Sequence, residues 1–198
     1  SFLRNASNDA VQDIGLDILE SLSQKELTEI VNKWLGAEHD QSPALAARRV
    51  AVIPLLARAA DGTVVGTTTE RPRYVDTVVE ALSAGDSEVR VEAVEALSQL
   101  TGLGYCPPDE LTAHLLGRTA DPSGWVRRST VEALAKHAPI GNLTDDWLYR
   151  WARRELAKPR GLQARTAAML LGELGVKEPS LRRQCLETAA DAFPSGRQ

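Results

Sequence analysis

The fold class this sequence predicts is all-α: an α-solenoid of stacked antiparallel helix pairs, about ten helices in 198 residues. Three observations predict it. The chain repeats itself: "DSEVRVEAVEALSQL" (Asp86–Leu100) and "DPSGWVRRSTVEALAKHA" (Asp121–Ala138) both carry Val-Arg, then Val-Glu-Ala-Leu at the same distance. Apolar residues recur at three- and four-residue steps along most of the chain, which is the period of a helix face. Aromatics are only 5%, a balance that suits helices packed through Ala, Leu and Val. The one Thr/Val-rich stretch, Asp61–Glu70, has no second strand to pair with and is expected to be a loop.

Taken in order, the Val-Arg anchors and their looser equivalents fall at residues 11, 45, 89, 126 and 164, at intervals of 34, 44, 37 and 38 residues. Each anchor opens a helix, here called a B helix, and a second, A helix lies between anchors. The B helices are expected near 8–22, 42–59, 87–101, 125–138 and 161–174, the A helices near 24–36, 72–84, 108–118, 144–157 and 179–193. Near 24–36, Ser23 and Glu26 have the spacing of a capping box, and Leu27, Ile30, Val31, Trp34 and Leu35 form a stripe. Pro72 and the Pro107-Pro108 pair stand where helices begin, where a missing amide hydrogen costs nothing. Asp86 is placed to cap its helix, and Asp121 lies two residues further from its own. Near 144–157, acids come first and arginines last, matching the helix dipole. In the unit anchored at Ala164-Arg165, Met169 and Gly172 are expected at the core positions that Val94 and Leu97 hold in theirs.

Units of this length with "D…VR…A…AL" in the second helix resemble HEAT repeats, over almost the whole chain. The resemblance implies one solenoid segment over residues 1–198, part of a longer array, with flanking repeats or other subunits over its ends. It also implies that Arg90, Arg127 and Arg165 tie neighbouring repeats to the acidic turn, with Asp86 and Asp121 as partners. Segments Ala44–Ala59 and Asp121–Leu134 are similar to helices of the tubulin-folding cofactor D family, although Asp-Pro-Ser replaces that family's Gly-Asp-Val.

HEAT-like di-iron hydroxylases carry His-Glu pairs in their repeats. The matching sites here read Val91-Glu92 and Arg128-Ser129, and His39, His114 and His137 are scattered, so no metal is expected. A bilin-lyase pocket has no signature here. Cys106 and Cys185 follow no metal spacing and have no neighbouring His, which reads as structural thiols in a reducing, cytoplasmic setting. "GTVVGTTTE" lacks the lysine of a phosphate loop. A HEAT-like DNA glycosylase would use a basic face with aromatics, and residues 118–165 carry ten Lys+Arg against five Asp+Glu around Trp125, Trp147, Trp151, Asp145 and Asp146. The pI near 5.5 argues against nucleic acid as the partner, and Trp147 with Trp151 reads as a packed stripe.

The expectation is therefore a non-catalytic scaffold with no cofactor, no membrane insertion and a protein partner. Charge suggests an acidic one. Residues 1–100 hold 9 Lys+Arg against 16 Asp+Glu, a balance of −7, and residues 101–198 hold 14 against 11, a balance of +3. The candidate partner-binding residues are Arg48, Arg49, Trp125, Arg127, Arg128, Arg153 and Arg154.

Overall fold

The computed structural model describes residues 43–63, 70–138, 147–158 and 161–192, together with residues 22, 26, 29 and 30. Among them all regular structure is helical. The helices are α1 (Pro43–Thr63), α2 (Glu70–Ala81), α3 (Ser87–Gly102), α4 (Pro108–Leu116), α5 (Gly124–His137), α6 (Trp147–Leu156), α7 (Leu162–Lys177) and α8 (Arg182–Ala192). Short 3-10 turns, Gly117–Ala120 and Pro179–Leu181, follow α4 and precede α8. Of the helix expected near 8–22 only Leu22 is described, as a bend. Of the one near 24–36 only Glu26, Glu29 and Ile30 are described, as helix.

The fold class is as expected, and one loop boundary is not. The Asp61–Glu70 segment was expected to be loop throughout, yet α1 runs on through Asp61 and Gly62 to Thr63, and Glu70 already belongs to α2. Gly62 lowers helix propensity by about 1 kcal/mol, a penalty that a 21-residue helix already propagating can absorb. The same helix holds Pro54 in its interior.

Packing divides the chain into two compact units, Ser1–Cys106 and Pro107–Gln198. In the first, α1, α2 and α3 each pack on the other two. Val89, Ala93, Val94, Ala96, Leu97 and Leu100 of α3 are all buried, and each Leu or Val taken out of water contributes roughly 1.5–3 kcal/mol. Asp86 caps α3 as its position suggests: its carboxylate accepts the Glu88 amide at 2.7 Å. At the other end, Gly104 takes φ 82°, and the Gly104 and Tyr105 amides donate back to Thr101 O and Leu100 O at 3.0 and 2.9 Å. This left-handed ending closes the helix without orphan carbonyls. It also aims Tyr105 at α1, where its hydroxyl donates to Ala57 O at 2.8 Å and its ring meets Tyr74 edge-on at 5.9 Å.

In the second unit, α7 packs against α5, α6 and α8. Helix α5 buries Val126, Thr130, Val131, Ala133 and Leu134, position for position with Val89, Ala93, Val94, Ala96 and Leu97 of α3. Helix α7 corrects the expected register. Its buried residues are Ala164, Thr166, Ala167, Leu170, Leu171, Leu174 and Gly175, so the match to Val126-Arg127 is Thr166-Ala167, not Ala164-Arg165. Met169 is 42% exposed and Gly172 is exposed. The physical reason is volume: Leu170, Leu171 and Leu174 fill the interior, which Met169 and Gly172 at the same depth would leave partly empty. Gly175 permits the close crossing of α7 and α8, because a Cβ there would stand 3.3 Å from Arg182 Cα.

Candidate functional site

The repeated arginines come first, because their geometry separates structural groups from available ones. Arg90 Nη1 donates to Ala84 O and Gly85 O, both at 2.9 Å. Arg127 Nη1 donates to Asp121 O at 2.6 Å and Pro122 O at 3.0 Å. In both cases the acceptors lie six and five residues earlier, so one side chain closes the turn that enters its own helix. These bonds go to main-chain carbonyls, not to the Asp86 and Asp121 carboxylates that the sequence suggested for Arg90 and Arg127. The carboxylate of Asp121 accepts the Ser123 amide at 2.9 Å and lies 3.9 Å from Arg118 Nη1. Ser123 is the residue before α5, so Asp121 shapes the turn without capping the helix.

Arg165 does none of this. Its side chain is exposed and has no hydrogen bond or ion pair among the described residues. The structural equivalent of Arg127 in α7 is Ala167, which has nothing to donate. Two other groups tie α7 into the unit. Thr166 Oγ1 donates to Thr119 O at 2.8 Å. Lys177 Nζ donates to Ala135 O, Lys136 O and Ala138 O at 2.7, 2.7 and 3.0 Å, closing the C-terminus of α5. Burial pushes the Lys177 pKa down, the cost of drawing an ammonium out of water, and the three carbonyls offset it.

Of the seven candidate residues, Arg127 is thus committed to its turn. Trp125 is 75% exposed on the first turn of α5, in line with exposed Arg128, Glu132 and Lys136 at helical steps. Arg128 Nε meets Glu132 Oε1 at 2.8 Å. That hydrogen bond, with the charge of Glu132 and then of Glu173, pushes the Arg128 pKa up. Glu173 is on α7, so the exposed stripes of α5 and α7 lie within electrostatic reach of each other. On α7, Leu162, Met169 and Val176 are exposed at seven-residue spacing, Val176 at 71%, with Arg165 and Glu173 between them. Trp125, Leu162, Met169 and Val176 are thus large apolar side chains left in water on two packed helices. The α7 contribution was readable as a seven-residue repeat, but the misplaced register assigned Met169 to the core.

Helix α6 carries Arg153 and Arg154, both exposed, along with Arg150, which the sequence reading did not single out. The guanidinium of Arg153 lies 6.0 Å from the centre of the Tyr149 ring. The expected tryptophan stripe is half kept: Trp151 is buried, whereas Trp147 at the helix start is 39% exposed. Asp145 and Asp146 lie outside the described residues. In the first unit, Arg48 is exposed on α1. Arg49, half-buried, borders an open groove of about 530 Å³ that Val50, Ile53, Thr77, Glu80 and Val89 also line.

Among the described residues no three His, Cys, Asp or Glu side chains come together to hold a metal. Cys106 and Cys185 are free thiols, both buried, and burial pushes the Cys185 thiol pKa up, away from the reactive thiolate. Among the described residues no helix is long and apolar enough to cross a membrane.

The comparisons agree with this architecture. The family model for HEAT repeats matches residues 37–135, half of the chain. The chain belongs to the HEAT-repeat family, whose stacked helix pairs typically serve as protein-interaction scaffolds. Searches of curated proteins and of solved structures gave no match.

Proposed function

We propose that this protein is a non-catalytic HEAT-repeat scaffold that binds a protein partner through the exposed face of α5 and α7. The observation that carries the reading is the exposure of Trp125 on α5 and of Leu162, Met169 and Val176 on α7, with Arg128, Glu132 and Glu173 exposed on the same two helices. Apolar centres with charged rims are how protein interfaces are built, and Trp and Arg are the residue types that dominate their energetics. Arg127 is not part of the proposed face, since removing it would open a turn and mimic a binding defect.

The test is affinity capture from a lysate of the source organism, with Trp125→Ser/Met169→Ser as the control. Because both side chains are exposed, the variant keeps its helix content and melting midpoint. The expected result is a stoichiometric protein that the variant fails to retain. Tubulin in that band would select the cofactor D resemblance. Recovery of nucleic acid alone, released by salt, would overturn the scaffold reading in favour of a DNA-binding enzyme of the glycosylase type.

A further inference from the structure

We infer that the outer face of α6 is a second docking surface, and that its occupant is an acidic segment of a protein. The inference rests on the scaffold reading and adds a place and a partner chemistry to it. Helix α6 divides sharply. Leu148, Tyr149, Trp151, Ala152 and Leu156 are buried, while Arg150, Arg153 and Arg154 are exposed beside the half-open Trp147.

Two exposed arginines elsewhere in this unit are paired one turn along, whereas Arg165 stands without such a pair among the described residues. Arg128 meets Glu132 and Arg183 meets Glu187, each at 2.8 Å. Among the described residues of α6 no such pair is formed. One turn after Arg150 stands Arg154, one turn before it stands Asp146, outside the described residues, and one turn from Arg154 stand Arg150 and Lys158. The helix has one carboxylate, Glu155, which is buried and bound to Lys158 Nζ at 2.6 Å. Among the described residues no hydrogen bond or ion pair engages Arg150, Arg153 or Arg154. Like charges one turn apart destabilise a helix, so the cluster is a local cost that an anionic partner would remove.

The size of the cluster selects the partner. From Arg150 to Arg154 the helix advances only about 6 Å, room for a few carboxylates on one turn of another helix. A nucleic-acid duplex presents a charge every ~1.7 Å over a long track and needs a wider basic surface than a chain of net charge −4 provides. Trp147, one turn before Arg150, adds a ring able to cover an apolar residue beside the acids.

The experiment is fluorescence anisotropy of a labelled peptide of repeated Glu-Glu-Leu-Asp, titrated with the full chain. The expected result is saturable binding that fades as salt rises from about 0.1 M to about 1 M. Arg150→Gln/Arg153→Gln/Arg154→Gln should weaken it about tenfold or more, and Trp125→Ser/Met169→Ser should leave it unchanged. Glutamine retains helix propensity, so the triple variant stays folded, and its circular dichroism checks this. No binding, equal binding by the triple variant, or displacement of the peptide by a charge-matched DNA duplex would each overturn the inference. Those failures are distinct from failure of the scaffold reading, which is read from lysate capture by the α5–α7 face with α6 intact.

Discussion

Helices α5 and α7 pack against each other and are built from the same repeat, yet they are fastened by different groups. The entry to α5 is closed from within: Arg127 reaches back to two carbonyls of its own turn. Helix α7 has alanine at that position, and its ties reach outward, from Thr166 to the 3-10 turn after α4 and from Lys177 to the C-terminus of α5. The difference shows which part of a repeat is physically essential. Buried volume recurs at most of the matching positions of α3, α5 and α7, because each helix must fill the core of its own unit. The polar fastening does not recur, because any donor that reaches the open carbonyls will satisfy them.

The comparison breaks most readily at the register of α7. Leu171→Ala should cost about 2–5 kcal/mol in urea unfolding, whereas Met169→Ala should leave the midpoint unchanged. The reverse order would restore the Ala164-Arg165 register. Next come the fastenings. Arg127→Met and Lys177→Met should each cost roughly 1–3 kcal/mol, because each strands carbonyls that a charged donor served. For Lys177→Met, amide exchange should rise in the last turn of α5, and Arg165→Met should change neither quantity. Smaller effects separate the two glycines of α7. Gly172→Ala, with open space around it, should raise stability by about 0.5–1 kcal/mol. Gly175→Ala should gain less or lose, since its Cβ must push against the α8 backbone.

The smallest effect is a pH slope. Burial holds the Cys185 thiol above its ordinary pKa, so the folded chain keeps that proton longer than the unfolded chain. The contribution is fully present below the unfolded value. Stability then falls as pH rises from there through the folded value. Cys185→Ala should flatten that alkaline slope, and a slope identical in the variant would assign it to other groups.

Much of the fold was legible because it follows from period and punctuation. Asp86, Pro108 and the apolar steps of α3, α4 and α5 act within a turn or two of themselves, and the helices begin and end close to where those signals stand. The site was legible in part. Trp125 and Arg128 stood out as charged and aromatic residues near a helix start. Val176 and Leu162 did not, because an apolar residue at helical spacing looks like core until a neighbour is shown to be absent.

The sequence by itself determined the all-α class, the repeat and the local caps, since these depend on residues close together in the chain. Only the tertiary structure decided the register of α7, the release of Met169 and Val176 to the surface, and the commitment of Arg127 and Lys177 to carbonyls. Each of these turns on which volumes and which acceptors a side chain meets once the chain is folded, and on whether burial there outweighs what the residue would gain in water.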